Sequence, residues 1–570
     1  MDDAIETKIE TKIETKIEKI EVTVCTYDGK KKNSACPFGV PVESFLESFG
    51  DSKEELAAVR VNNEILPLSA KLEINCTLDP VLLSSHDGSV IYRRSLAFLL
   101  AIAAQDLFPN RRLVIGHSLG HSYYYTFADG KKPTGNEVQE LKKAMQTLVK
   151  EDLPISCGYM AYEEALALFE KNHQEDTLLL FEQRSESKVW VNQCRDFADL
   201  YIEPLVSRTG LLQVFDLIEY GDGLCLHFPA TGKKIIEPFE DSPGLFSVYK
   251  EYKKWGNILG VHSVGQLNRL VSKRTIQDYI RIAEEFQGKK LAEIADRIYE
   301  RRHDVKLILI AGPSSSGKTT TAKRLSIQLQ VMGISPIAVS LDDYYNDPAL
   351  APKDEKGQPD LECLEALDIP YLNQQLVDLL NGKEVDIPAF DFKTGSRKVR
   401  GKPIHLDDQT ILIMEGIHGL NDACTPQVDR KKKFKFYISA LTQLNLDDHN
   451  RIPTSDNRLL RRMVRDNQFR GASAAKTIHM WPSVQAGEQK HIFPFQDGAD
   501  VAFNSALDYE LAVLKFYADP LLRSVKPNMA EYAEARRILS FLENFAPIPP
   551  QYVPGTSILR EFIGESEFKY

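Results

Sequence analysis

"LILIAGPSSSGKTTTAKRL", residues 307–325, sets an apolar run of strand length before a Gly-x-x-x-x-Gly-Lys-Thr loop, Gly312–Thr319, and follows it with a helical stripe at Ala322, Leu325, Leu329 and Met332. A strand, a glycine-rich turn and a helix in that order aim backbone N–H groups at one point at a helix N-terminus, where the peptide dipole favours an anion. Gly312, Ser314, Ser315, Ser316 and Gly317 are expected to line a phosphate cradle, with Thr320 in the first turn behind them. Lys318 is expected to reach the outer phosphates of ATP and the Thr319 hydroxyl to hold Mg²⁺. The loop alone leaves open whether the terminal phosphate passes to water or to an acceptor.

Two further strand ends point to the same place. "PIAVSLDDYYND", from Pro336, is a short apolar run that stops at Asp342, and "TILIMEGIHG", from Thr410, stops at Glu415. In an open parallel sheet the carboxyl ends of the strands line the ligand crevice. Asp342 is thereby expected to take a proton from an attacking hydroxyl and to join the metal shell, and Glu415 to assist the metal. "DNRLLRRMVRDNQFRG", from Asp456, then carries Arg458, Arg461, Arg462, Arg465 and Arg470, the first four on one broad helical face. Such a helix predicts a mobile basic lid that closes over ATP, excludes water and neutralises the phosphoryl oxygens, with Arg461 as its catalytic member.

At 570 residues the chain exceeds one compact core, so several domains are expected. The longest apolar run, "LAFLLAIAA" from Leu96, falls short of the roughly 20 residues that a membrane span needs. Eight cysteines without a Cys-x-x-Cys pair, and no secretory leader, fit a reducing, cytoplasmic setting. A net charge of −11 argues against broad nucleic-acid binding while leaving a local basic patch in the first half open; a homo-oligomer is also left open.

Residues 1–19 repeat Ile-Glu-Thr-Lys and read as a solvated extension. Residues 20–83 alternate short strands with turn residues and include the helical "PVESFLESFG" from Pro41, an α+β unit. A second α+β segment, 84–230, is expected to place helices at 93–107, 136–150 and 161–171, and strands at "LVIG", "YYYTF", "LLLFEQ" and "VWVNQC". His117 and His121 are spaced four apart, but their glycine and tyrosine neighbours place them in a strand and turn rather than on a metal-binding helix face. A mixed connector, 231–288, leads to the P-loop domain, 289–570, whose opening "KKLAEIADRIYERRHD" reads as an amphipathic helix.

The first half resembles threonyl-tRNA synthetases. "VRVNNEILPLSAKLEINCTL" looks like their small β-grasp (TGS-like) module, and "SLAFLLAIAAQDLFPNRRLVIGHSLGHSYYYTF" like the start of their editing domain. In that family a His-x-x-x-His pair and a later Cys-x-x-x-His supply the hydrolytic chemistry. Here Arg94 and Phe98 stand at the first pair, and Cys194 and Ala198 at the second. A phenylalanine neither ligates a metal nor moves a proton, so the resemblance implies an editing scaffold without editing activity.

The second half resembles the phosphoribulokinase/uridine kinase family, especially uridine-cytidine kinases. "GPSSSGKTT", "LDDYY", "EALD", "IPAFDFKTGSRK", "ILIMEGIHGL" and "DNRLLRRMVRD" occur in family order. The resemblance implies Asp342 as base, Tyr345 beside the substrate, Glu365 on the ribose diol, Glu415 as the magnesium-linked acid and Arg397 as the basic residue of a Ser-Arg pair. It further implies Arg458 at the substrate, and Arg461, Arg462 and Arg465 at ATP. Phe390 and Phe392 would stack a base. Where uridine kinases carry a pyrimidine-contacting histidine this chain has Gly395, so the resemblance implies a uridine kinase-like, pyrimidine-salvage phosphorylation of a nucleoside 5'-hydroxyl and leaves open which nucleoside is preferred. A sugar-phosphate kinase of the same fold and an RNA-associated nucleotide switch are the alternatives.

Overall fold

The strand Leu307–Ala311 is buried at all five residues and pairs in parallel on both sides, with Thr410–Glu415 and with Lys433–Ser439. In the computed structural model, which describes residues 19–26, 30–48, 55–347, 352–353, 357, 360, 362–391 and 396–569, it is the middle strand of a five-stranded parallel sheet. Ser335–Ser340 flanks Thr410–Glu415 at one edge, and Val501–Asn504 flanks Lys433–Ser439 at the other. The apolar runs 307–311 and 411–414 suit strands covered on both faces, whereas Lys433–Ser439 opens with alternating lysine and phenylalanine and is still buried throughout. The helix Lys318–Val331 makes the crossover between the P-loop strand and Ser335–Ser340, burying Ala322, Leu325 and Leu329 of the expected stripe.

The chain separates into two compact units, Met1–Phe239 with Lys526–Arg537, and Glu240–Val525 with Ile538–Tyr570. The division lies inside the stretch read as a connector. Its helices Pro243–Leu259 and Val264–Ser272, and the start of Ile276–Glu300, belong with the P-loop unit. The amphipathic run expected from Lys289 is the second half of that last helix, which buries Leu291, Ile294 and Ile298.

In the first unit, Lys31–Pro37, Lys19–Cys25, Cys76–Leu82, Leu56–Val61 and Glu64–Leu66 form a mixed sheet in that order. With the helix Val42–Glu47 beside them, they have the parts of a β-grasp. Apart from Lys19, the repetitive extension lies outside the described residues. The next segment builds a four-stranded antiparallel sheet, Asp216–Tyr220, Gly223–His227, Ser122–Phe127 and Leu113–Leu119, and a three-stranded one, Ser156–Ala161, Lys188–Cys194 and Phe197–Leu200. Its helices include His86–Leu107, Gly135–Glu151 and Tyr162–Lys171, the first starting before the expected 93.

Of "LLLFEQ", residues 178–183, expected as a strand, the first four residues instead close the helix Glu175–Phe181. Its buried residues, Asp176, Thr177, Leu180 and Phe181, recur at helical spacing, and a short apolar run does not by itself distinguish the two periods. His117 sits in the strand Leu113–Leu119 and His121 in the following turn, beside Glu237 at 3.8 Å.

Candidate active site

Two glycines hold the P-loop in shape. A Cβ on Gly312 would stand 2.0 Å from the Ile438 carbonyl oxygen, so the loop leaves its strand against bare neighbouring backbone. Gly317, with φ +83°, caps the helix that begins at Lys318. The Ser315 and Ser316 hydroxyls are buried without a hydrogen-bond partner among the described residues. Lys318 folds back over the loop, donating from Nζ to the carbonyls of Gly312 at 3.0 Å and Pro313 at 3.3 Å.

Register brings the first carboxylate to the cradle. Glu415 ends its strand opposite Ile310 on one side and Ser340 on the other. Its Oε1 accepts from Thr319 Oγ1 at 3.2 Å and Ser340 Oγ at 3.3 Å. Burial first, then the neighbouring Asp342, push the Glu415 carboxyl up to about 7, with Glu561 adding to the push and Lys318 and Thr319 opposing it. Asp342 lies in the single turn Leu341–Tyr344, its N–H on Ser340 Oγ at 3.3 Å. Burial and Asp343 raise its carboxyl above the usual range, against the pull of Lys318, Arg470 and Arg465. Two acids, a lysine, a threonine hydroxyl and two guanidinium groups thus share one electrostatic neighbourhood at the carboxyl edge of the sheet.

The Tyr345 and Phe390 rings stand 5.8 Å apart, Tyr345 within reach of the Asp342 charge, and the Phe390 N–H donates to Asp343 Oδ1 at 3.1 Å. Glu365 is exposed in the single turn Leu364–Ala366. Phe392 and Gly395 lie outside the described residues. Arg397, read as a substrate residue, bonds Asp368 at 3.1 Å and the Tyr344 and Tyr345 carbonyls at 3.1 and 3.2 Å. Those donors are committed to shaping the Asp342 turn.

The arginine helix Thr454–Arg470 departs most from expectation. It is not a free basic lid, because its two most inward arginines are buried in ion pairs. Arg458 pairs with Glu488 and donates to the Ser314 carbonyl at 3.2 Å, with Trp481 5.3 Å from its guanidinium. Arg461 is wholly buried; it binds Glu510 at 2.6 and 2.8 Å, the Ser505 carbonyl at 2.9 Å and the Ser315 carbonyl at 3.3 Å. Their donors face the backs of P-loop peptides, so both brace the loop rather than close over a ligand. Arg462 reaches Ser314 Oγ at 2.8 Å. Arg465, with Arg470, carries positive charge toward Asp342.

Several site groups escaped the sequence reading. Glu488 accepts the Ser314 N–H at 2.9 Å, Glu561 accepts the Thr320 N–H at 3.1 Å, and Glu362 faces Asp342 and Lys318. None ends an apolar strand, which was the signal used for Asp342 and Glu415. His418, three residues past Glu415, is buried, and that burial together with His491, 6.0 Å away, pushes its imidazole down to about 4.

In the first unit, Phe98 packs on Phe197 at 5.5 Å in one core with Cys194, whose thiol burial pushes up. Arg94 pairs with Glu203. The four positions that would carry editing chemistry therefore hold three core side chains, Phe98, Cys194 and Ala198, and one ion-paired arginine.

Comparison with known proteins agrees with this division. The model of the Phosphoribulokinase / Uridine kinase family matches residues 307–512. The N-terminal half matches threonine–tRNA ligases. That of Marinobacter nauticus is 32% identical over 191 residues, 33% of this chain and 30% of the ligase. That of Acidithiobacillus ferrooxidans is 35% identical over 162 residues, 28% of this chain and 25% of the ligase. The chain thus spans 30% or less of the length of these two curated relatives. Among solved structures, a protein described as a possible uridine kinase from Bacillus stearothermophilus is 22% identical, covering 35% of this chain and 89% of its own, with a TM-score of 0.23. Residues 307–512 thus match the phosphoribulokinase/uridine kinase family model, behind an N-terminal half similar to threonine–tRNA ligases.

Proposed function

We propose that the P-loop unit transfers the γ-phosphate of ATP to the 5'-hydroxyl of a nucleoside. The observation that carries this reading is the placement of Asp342. It is a carboxylate raised by burial, in the field of Lys318 and Glu415 and three residues before Tyr345, whose ring stands 5.8 Å from that of Phe390. A raised carboxyl is a stronger base, and a base near both the phosphate cradle and an aromatic wall suits an organic acceptor.

Asp342 takes the acceptor's hydroxyl proton as that oxygen bonds to the γ-phosphorus and the bond from phosphorus to the ADP oxygen breaks, with no phosphoenzyme. Lys318, released from the Gly312 and Pro313 carbonyls, turns to the transferring phosphoryl group, and Arg465 and Arg470 add positive charge. Thr319 and Glu415 present the hard oxygen donors that Mg²⁺ takes alongside substrate phosphates, and the ion would neutralise charge on those phosphates. Phe390 offers a face to a base, and Glu365, exposed near the same wall, is the candidate for the ribose diol. The eight unpaired cysteines support a reducing, cytoplasmic setting. In the first unit the packed Phe98 and Cys194 support a binding or assembly scaffold, for RNA or for a second copy, over a hydrolase.

The test is a coupled ADP-release assay with Mg-ATP and a panel of pyrimidine and purine nucleosides, ribulose 5-phosphate and a no-acceptor control. One nucleoside should stimulate release, and Asp342→Asn should lower kcat by roughly 10²–10⁴-fold. Stimulation by the sugar phosphate alone moves the assignment to a sugar-phosphate kinase. Release that ignores every acceptor overturns the kinase reading in favour of a nucleotide switch.

A further inference from the structure

Thr320 stands in the first turn of the P-loop helix, and both its donors are taken by one side chain. Its N–H reaches Glu561 Oε2 at 3.1 Å and its hydroxyl reaches the same oxygen at 2.5 Å. Glu561 lies in the single-turn helix Arg560–Ile563, which is firmly seated. Arg560 is buried and bonds the Pro550 and Val553 carbonyls at 3.1 and 2.8 Å. Phe562 lies 5.0 Å from the Arg461 guanidinium, and Gln468 of the arginine helix donates to the Ile563 carbonyl at 3.2 Å. Ile558 sits where a Cβ on Gly317 would approach its Cγ2 to 2.5 Å. The segment 557–567 therefore packs on the P-loop helix and on the arginine helix together.

The first turn of this helix is where the loop offers N–H groups to nucleotide phosphates. A carboxylate and a phosphate oxygen compete there for the same donors and the same positive end of the dipole. Glu488 also caps a P-loop N–H, that of Ser314, but Arg458 cancels its charge. Glu561 has no cation paired with it among the described residues, and its charge bears on Glu415 across the site.

We propose that Glu561 is a built-in competitor of the donor's phosphate chain. It occupies the Thr320 donors when no nucleotide is bound, gives them up when ATP enters, and returns as ADP leaves. The segment 557–567 thereby sets donor affinity and assists product release. The inference rests on the reading of the P-loop as an ATP site.

The test is calorimetric binding of Mg-ATP and Mg-ADP, without acceptor, to the full chain and to Glu561→Gln and Glu561→Ala. Gln keeps an oxygen for the Thr320 donors but removes the charge; Ala removes both and supplies the same readout should the Gln protein fail to fold. Both nucleotides should bind the variants about threefold or more tightly than the parent chain. Detectable binding only in the variants supports the proposal equally. Unchanged or weaker binding in the variants overturns it while leaving the P-loop reading intact. If none of the three proteins binds either nucleotide, the ATP site and this inference fall together.

Discussion

Arg461 and Glu510 form an ion pair with essentially no solvent exposure, at 2.6 Å, and the same guanidinium holds the Ser315 carbonyl of the P-loop. Removing one member leaves the other charge buried and unpaired. Arg461→Ala should therefore lose about 3–5 kcal/mol of unfolding free energy. Arg461→Lys should recover only part, because an ammonium has too few directed donors to bind Glu510, Ser505 and Ser315 together. Urea unfolding followed by circular dichroism checks both. A variant as stable as the parent would return Arg461 to the lid role expected from the sequence.

Glu415 gives the site a pH dependence whose sign is fixed by its burial. Its carboxyl is pushed up to about 7 from an ordinary 4.5, so within that window the folded chain holds a proton that the unfolded chain has released. Its contribution to stability is present in full below the lower value and is lost as pH rises through the upper one. The gap between Glu415→Gln and the parent should accordingly widen in favour of the variant between pH 5 and pH 8, by at most about 3 kcal/mol. On the proposed reading of Glu415 as a magnesium ligand, Mg-nucleotide affinity of the parent should rise over the same range, because the ion takes the ionised carboxylate. Paired urea titrations at the two pH values read the first effect and calorimetry the second.

How much of this was legible depends on how local each signal is. The Gly312–Thr319 loop is shaped by residues close in sequence, and Glu415 ends its strand in register with Ile310 and Ser340, so both positions were legible from spacing. Asp342, by contrast, lies two residues past its strand, which ends at Ser340, in the turn Leu341–Tyr344. The arginines were legible as a helix face but not as to what that face meets. Their partners Glu488 and Glu510 come from other helices, and a run of arginines reads the same whether it faces solvent or buried carboxylates. Glu561 is 241 positions from Thr320, a separation at which no periodicity carries information. "LLLFEQ" failed for a different reason, as a short apolar run fits both a strand and a buried helix turn, and only the packing of Leu180 and Phe181 decides.

Gly312 is a steric test of the cradle. An added methyl would need to stand 2.0 Å from the Ile438 oxygen, a main-chain atom with nowhere to move inside a parallel sheet. Gly312→Ala should cost about 1–3 kcal/mol and weaken Mg-ATP binding together with it, since the loop and the adjoining strand must separate to admit the methyl. Thermal unfolding and calorimetry on one preparation check the pair. Full stability with full affinity would show that the loop leaves its strand along another path.

Phe98 offers the corresponding test in the first unit. It is 4% exposed, stacked edge-on against Phe197 at 5.5 Å and packed in one core with Cys194. Restoring the synthetase-like residue by Phe98→His puts an imidazole with two polar nitrogens into an apolar core, and Arg94 and Ala198 still stand at the other two histidine positions. The variant should lose about 2–4 kcal/mol of stability and gain no hydrolysis of a mischarged tRNA. The same loss should shrink in Phe98→Leu, which keeps the apolar volume, so comparing the two separates burial of polarity from loss of packing. Measurable hydrolysis by Phe98→His, alone or with Ala198→His, would mean that the editing chemistry is suppressed by two side chains and that the scaffold around Cys194 still binds the tRNA end. The core packing of Phe98, Phe197 and Cys194 argues for the opposite outcome, since these side chains are part of a closed apolar core.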